Sequence, residues 1–291
     1  MRVPGVIVKL QGGLGNQLFQ FAAGRALAQR LGVRLQLDKS FLEHNNQSFE
    51  GFTARSYALD IFSLNIDFAI LSDVEPFFKP GIAEKIRRKL GRPYYTVLAE
   101  ADFAYDPRFD QTHAPVYLDG YWQNYRYFAS LAAVLKQELS LPGGEQNTEA
   151  SGPMVSVHVR RGDYVHYKET NDRHGICPES YYREAMMLML QRYPTAAFRI
   201  CSDDPAWAKD HLDLPGFRCI FSPPGTRPDW MDLAEMSSCD HHIMSNSSFS
   251  WWAAWLGHNA DRTVIMPARW WRQEPPGFRL ANLIMPGWIA I

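Results

Sequence analysis

The sequence predicts an α/β protein of two domains, each built on a parallel sheet, and three observations lead there. Residues 6–38 read strand, glycine turn, helix, strand; a polar Pro/Gly-rich tract at 141–153 interrupts the pattern; and strand–helix alternation restarts at residue 154. A chain of 291 residues accommodates two domains of about 140 residues, each large enough to bury its own core.

Residues 6–10 are an apolar run bounded by the turn Gln11-Gly12-Gly13-Leu14-Gly15-Asn16, and they read as the first strand. The run is far too short for a signal peptide or a membrane span. Residues 17–31 follow as a helix with Leu18, Phe19, Ala22, Ala26 and Leu27 on its apolar positions, stopped by Gly32. Residues 33–38 alternate as a second strand ending in Asp38. The glycines lack the GxGxxG spacing, so no dinucleotide cofactor is indicated. Residues 41–115 read as irregular and aromatic-rich except for a basic helix at 82–90 with Lys85, Arg87, Arg88 and Lys89. That run reads as a solvated face, or else as a peripheral contact with a membrane or an acidic partner. Residues 116–124 form a strand and an amide-rich loop in which Tyr121, Trp122 and Gln123 could stack on and hydrogen-bond a sugar; 126–139 is amphipathic and helical.

The tract at 141–153 is the linker, which places the domains at 1–145 and 146–291, the last residues being free to pack back on the first domain. Beyond it come a strand at 154–159, a helix at 178–192 with proline in its first turn, and a strand at 197–201. Further strands follow at 218–221, 242–245 and 263–266, with a tryptophan-rich helix from Ser247-Ser248 to Gly257 between the last two. Two such domains facing one another leave a cleft, and parallel sheets bind ligands at the carboxyl ends of their strands.

A net charge of -1 excludes a polyelectrolyte nucleic-acid binder, so any anion site must be local. The cysteines, at 177, 201, 219 and 239, show no CxxC and read as reduced thiols. No window reaches about 18 uninterrupted apolar residues, and the chain reads as cytoplasmic, any membrane contact being peripheral and at the inner face. HExxH, GxSxG and P-loop motifs are all missing.

Three segments fall at carboxyl ends of strands in the second half: Arg160-Arg161-Gly162-Asp163, Ser202-Asp203-Asp204 and Ser245-Asn246-Ser247-Ser248. Guanidiniums grip phosphate oxygens bidentately and keep their charge, so the arginine pair suits a diphosphate, with a structural ion pair as the plainer alternative. Serines at a helix start offer hydroxyls, backbone N–H groups and the positive end of the helix dipole, or they simply cap it. Asp203 and Asp204 suit a guanine edge or a ribose diol; a metal site or helix capping by Asp204 are the rival readings. No two aspartates stand in Asp-x-Asp spacing, the usual metal signature of sugar transferases, and the arginines could supply that charge. The tryptophans at 251, 252 and 255 read as core, or less simply as a sugar platform.

Four ordered motifs carry a resemblance: Gly12-Gly13-Leu14-Gly15-Asn16-Gln17-Leu18-Phe19-Gln20, His158-Val159-Arg160-Arg161-Gly162-Asp163-Tyr164, Ser202-Asp203-Asp204 and Asn246-Ser247-Ser248-Phe249-Ser250-Trp251-Trp252. Together they make the chain resemble glycosyltransferase family 11, the α-1,2-fucosyltransferases, over most of its length. More distantly it resembles α-1,6-fucosyltransferases and protein O-fucosyltransferases. Animal members carry an amino-terminal membrane anchor; the opening residues here look instead like the bacterial soluble type.

The resemblance implies a GT-B-like fold of two Rossmann-type domains facing each other across a cleft. It implies GDP-β-L-fucose as donor substrate, inversion at the anomeric carbon, and no metal or other cofactor. The implied acceptor is a galactoside-terminated oligosaccharide or lipid-linked glycan, such as an O-antigen. Arg160 would bind the β-phosphate with help from Arg161, His158 and Asp203 or Asp204 the guanosine, and Ser247 or Ser248 the diphosphate. Gly13, Gly15 and Asn16 would face the fucose and acceptor, with Asp38, Tyr121, Trp122 and Gln123 as acceptor contacts. Arg160, Asn16 and Asp163 are the catalytic candidates, and Asp163, Glu169, His166 and Asp38 the carboxylates and imidazole from which a general base could come. The alternatives are a silent GDP- or sugar-binding module and a transferase using another GDP-sugar.

Overall fold

A computed structural model describes residues 5–49, 52–141, 152–162, 165, 167–223 and 227–291. They fall into two compact units: Met1–Phe49, Ala54–Leu139 and Pro276–Leu283 in the first, and Glu50–Thr53, Ser140–Pro275 and Ile284–Ile291 in the second. Most of the Pro/Gly tract lies outside the described residues.

The first unit holds five parallel strands, β1 (Val6–Lys9), β2 (Leu35–Asp38), β3 (Asp67–Phe68), β4 (Thr96–Ala99) and β5 (Val116–Asp119), in the order β3-β2-β1-β5-β4. β1 is central because Val6, Ile7 and Val8 are apolar on both faces and pair with β2 and β5 alike. The helix Leu14–Leu31 lies against the sheet and is buried on nearly every side of its first four turns. Gly24 permits that approach: a Cβ there would sit 2.2 Å from Cγ2 of Val8. Gly32 ends the helix with φ 64° and ψ 33°, the left-handed cap the sequence calls for.

Some expectations for this unit need correction. The helix starts at Leu14, so Gly13 is its N-cap and Gly15 is buried inside the first turn rather than in a loop. Residues 41–115 are not irregular: they hold β3, β4 and the helices Leu71–Phe78 and Ile82–Lys89. β4 escapes notice because it is a short edge strand that buries only Leu98, which leaves no alternation to read. Residues 126–139 begin in 3₁₀ turns and become an α-helix only at Ala132–Glu138.

The second unit holds β6 (Met154–Val159), β7 (Ala197–Ser202), β8 (Arg218–Phe221), β9 (His241–Ile243), β10 (Val264–Met266) and β11 (Ile289–Ala290). Their order is β11-β10-β9-β6-β7-β8, all parallel. From β6 the chain winds out through β7 and β8, then recrosses to β9, so the winding reverses between β6 and β9. Ligands of doubly wound sheets sit at the carboxyl edge of that reversal. All six β6 residues are buried, and Val155, Val157 and Val159 pack with Tyr182, Met186 and Phe198. Trp251, Trp252 and Trp255 are at most 3% exposed, which settles them as core side chains. The helices Lys168–His174 and Asp229–Ser237 and the two-residue β11 were not legible in the sequence. Among the described residues no helix is long and apolar enough to cross a membrane.

Candidate active site

Strand alternation sends Ser156, His158 and Arg160 to one side of β6, beside the reversal. His158 is 6% exposed; its Nδ1 lies 2.8 Å from Oγ of the fully buried Ser245, and its ring rests on Phe249 at 5.5 Å. Burial pushes its pKa down to about 4, Asp203 opposing and Arg160 reinforcing the shift. The imidazole is therefore neutral near pH 7 and offers one donor and one acceptor nitrogen.

Arg160 and Asp203 form a 2.8 Å ion pair with both side chains about a quarter exposed (24% and 25%). The other oxygen of Asp203 accepts the backbone N–H of Arg161 at 2.7 Å, which bolts the loop after β6 to the loop after β7. Gly162 is required for this contact, since a Cβ would stand 2.6 Å from Oδ2 of Asp203. Asp203 is thus first of all the group that aims Arg160, though each carboxylate oxygen keeps a lone pair for a ligand.

Arg161 behaves differently. Its Nε donates to Asp204 at 3.1 Å and its guanidinium lies 4.0 Å from the ring centre of Trp207. Asp204 caps the helix Pro205–Leu212 by accepting the N–H of Trp207 at 3.2 Å. Asp204 thus caps the helix with one oxygen and holds Arg161 with the other, and Arg161 takes the structural reading. Asp163 lies outside the described residues, as does His166. Glu169 stands exposed on the helix Lys168–His174.

After β9, Ser247 caps the helix Ser248–Leu256, its hydroxyl accepting the N–H of Phe249 at 3.3 Å. Ser250 Oγ donates back to the carbonyls of Ser245 and Ser247 at 3.3 and 3.1 Å. Asn246 stands in the motif after β9 without a role read from sequence, yet it is a hub. Its Nδ2 lies 3.1 Å from the carbonyls of His174, Gly175 and Trp270, and its Oδ1 accepts the Cys177 thiol. Only its place at a strand-to-helix junction could have marked it. Arg160, His158 and the positive end of this helix therefore meet at one sheet edge, an arrangement suited to stabilising a diphosphate. A second cluster, Cys201, Asp232 and Glu235, has metal-ligand geometry, but Arg227 already bridges its carboxylates and bonds Ser222, so a guanidinium supplies the cation there.

In the first unit the glycine turn is fixed by two side chains of its motif to which the sequence reading gave no role. Gln17, without exposed surface, donates to the carbonyls of Gly12 and Ser56 at 2.9 and 2.8 Å and accepts the N–H of Ala58 at 3.0 Å. Gln20 accepts from the N–H of Gln11 and donates to the carbonyl of Gly120. Gly12 has φ +78°, and a Cβ on it would fall 2.3 Å from the Asn16 amide. Asn16 Oδ1 accepts from Gln123 at 2.8 Å, so these two predicted residues do come together, at the carboxyl ends of β1 and β5. The wall of Gly13 faces Arg55, 3.9 Å from a Cβ position.

The remaining acceptor candidates diverge. Trp122 is a correction: it has no exposed surface, adopts φ 56°, and packs on Phe109 and Tyr127, so its ring cannot meet a sugar. Asp38 is another: at 3% exposed, it accepts from the Tyr117 hydroxyl at 2.7 Å and the Ser40 N–H at 2.9 Å, a buried brace. Tyr121 is half-buried, and its backbone is held by Glu100, whose carboxylate accepts the N–H groups of Tyr121 and Trp122 at 2.7 and 3.1 Å. Burial lifts the Glu100 pKa to about 7 against the pull of those two hydrogen bonds.

Comparison with known proteins decides the family. The profile of Glycosyl transferase family 11 matches residues 98–291. The chain belongs to that family. An α-1,2-colitosyltransferase of Escherichia coli is 31% identical over 283 residues, covering 92% of this chain and 93% of the relative. The O-antigen biosynthesis glycosyltransferase WbnK of Escherichia coli is 26% identical over 97% of this chain and 99% of its own length. Galactoside α-(1,2)-fucosyltransferase 2 of Bos taurus matches 60% of this chain at 27% identity, and 55% of its own length. The fold is that of GT-B-type fucosyltransferases. POFUT1 in complex with GDP superposes with TM-score 0.51 over 91% of this chain and 99% of that chain, at 15% identity. Arabidopsis thaliana FUT1 does so with TM-score 0.53 over 92% and 72%, at 14% identity. The family match begins at residue 98, so it includes the Arg160 site and leaves the glycine turn of this family 11 glycosyltransferase outside.

Proposed function

We propose that this family 11 enzyme is an inverting α-1,2-fucosyltransferase, moving L-fucose from GDP-β-L-fucose to the 2-hydroxyl of a terminal β-galactoside. The observation that carries the reading is Arg160, held by Asp203 at 2.8 Å at the carboxyl end of β6, beside neutral His158 and the N-terminus of Ser248–Leu256. The acceptor oxygen forms a bond to the anomeric carbon as the bond to the β-phosphate breaks. The electron pair leaves on the phosphate oxygen of GDP, and the hydroxyl proton passes to solvent water. Arg160 and the helix terminus meet the developing negative charge, so in this reading no metal is needed. The Asn16–Gln123 pair orients the acceptor hydroxyl.

Two observations support the α-1,2 linkage and a glycan acceptor: relatives of this chain are named as α-1,2-colitosyl and α-(1,2)-fucosyltransferases, and another serves O-antigen biosynthesis. The colitosyl relative makes transfer of a different sugar the one rival with an observation behind it. The test is GDP release from GDP-fucose, GDP-colitose and GDP-mannose, with and without lactose or N-acetyllactosamine, followed by linkage analysis. Acceptor-dependent release from GDP-fucose with an α-1,2 product is expected. Release only from another donor, or tighter binding of UDP than of GDP, would overturn the donor assignment.

A further inference from the structure

The helix Ile82–Lys89 of the first unit is inside out. Its only buried side chain is Glu84, 7% exposed, whose carboxylate accepts the N–H groups of Tyr94 and Tyr95 at 3.0 and 3.1 Å. On the opposite side Ile82, Ile86 and the C-cap Leu90 recur every fourth residue, forming one stripe, and they are 80, 54 and 71% exposed. A surface helix ordinarily turns its aliphatic stripe inward and its charges outward. Here the polar tether is what faces the protein.

The borders of the stripe are basic. Lys85 and Lys89 follow it along one side, both exposed, and neither forms an ion pair with a described residue. Arg87, on the other side, lies over the exposed Tyr94 ring at 5.5 Å. Residues 82–92 hold five cations and one carboxylate, although the whole chain carries a net charge of only -1. A second copy docking by the same stripe would set like charges against each other, because a two-fold contact pairs each surface with itself. A surface that is apolar beneath and anionic above complements it instead, and that is an anionic lipid headgroup layer over acyl chains.

We infer that the helix Ile82–Lys89 with Leu90 docks this enzyme peripherally on anionic membrane surfaces, the aliphatic stripe entering the headgroup boundary and Lys85 and Lys89 meeting lipid phosphates. The full chain is sedimented with vesicles of phosphatidylcholine alone and with equimolar phosphatidylcholine and phosphatidylglycerol. It binds the second and not the first. Lys85→Glu with Lys89→Glu weakens partitioning by at least about 25-fold, roughly fivefold for each lost cation. Ile86→Ser with Leu90→Ser weakens it by about tenfold or more. Thermal unfolding of both variants stays close to that of the parent chain, since all four altered side chains are exposed. Equal binding to both vesicles, no binding, or variants that bind like the parent would overturn the inference. So would a dimer in solution that Ile86→Ser with Leu90→Ser dissolves, which would assign the stripe to a second copy.

Discussion

Arg160 and Arg161 are adjacent in the chain and opposite in physical situation. Arg161 is spent on the protein: its guanidinium stacks on Trp207 and pairs with the capping carboxylate of Asp204. Arg160 pairs with Asp203, which fixes its direction at the sheet edge while leaving it a quarter exposed (24%). Arg160→Ala should therefore lower kcat by about 100-fold or more, the loss seen when one pre-aimed donor to a developing oxyanion is removed. Arg161→Ala should cost about 1–2 kcal/mol of unfolding free energy and leave kcat within a few-fold. Steady-state kinetics and urea denaturation of the two variants separate these outcomes; a stability loss at Arg160 with unchanged kcat would reverse the assignment. At Asn16 and Gln123 the claim concerns a pair. A double-mutant cycle with Asn16→Ala and Gln123→Ala should give a coupling of about 1 kcal/mol in kcat/KM for the acceptor, and additive losses would mean their 2.8 Å contact plays no part in turnover.

At the scale of elements, the site depends on loops brought together by strand order, and glycines set how closely they approach. Gly162 lets the Asp203 carboxylate lie where a Cβ would be 2.6 Å from its oxygen. Gly162→Ala should displace Asp203, lower kcat by about tenfold or more through the misaimed Arg160, and leave the acceptor KM nearly unchanged. Kinetics of that variant unchanged from the parent would show that Arg160 needs no such aiming. This dependence also explains what the sequence could and could not convey. Central strands leave a pattern in the sequence, β1 as an apolar run and β6 as an alternation of valines with Ser156 and His158, so the doubly wound pattern was visible. Edge strands such as β4 and β11 bury too few residues to leave a signal. The partnership of Arg160 with Asp203 spans 43 residues and exists only because β6 lies beside β7. Trp122 misled for a related reason: an aromatic loop residue looks available until the packing of Phe109 and Tyr127 around it is known. Glu100 gave no signal at all, since a glutamate after an edge strand looks solvated until β5 brings two backbone N–H groups onto it.

For the molecule as a whole, a nearly balanced charge leaves the pH dependence of stability to a few buried groups. His158 and His242 are buried neutral, their pKa values lowered to about 4 and about 3 from an ordinary 6.5. Below about pH 6.5 the unfolded chain takes up protons that the native histidines refuse, so stability falls with falling pH through that window. Glu100 acts with the opposite sign. Its pKa is raised to about 7 from 4.5, so its favourable contribution is complete below about pH 4.5 and is lost as pH rises toward 7. Each group has a limiting slope of about 1.4 kcal/mol per pH unit between its unfolded and folded pKa values. His158 and His242, with the buried His241 lowered in the same direction, outweigh Glu100 and leave a net rise in stability from pH 4.5 to 6.5, followed by a shallow decline to about pH 7. Unfolding free energies of the parent, His242→Asn and Glu100→Gln chains across pH 4.5 to 8 test the signs separately. The parent's advantage over His242→Asn should shrink as pH falls below 6.5, while its advantage over Glu100→Gln should shrink as pH rises to 7. A difference curve that is flat, or that slopes the other way, would mean that the group titrates in the folded protein as it does in the unfolded chain, and that burial at that position is not what sets its charge.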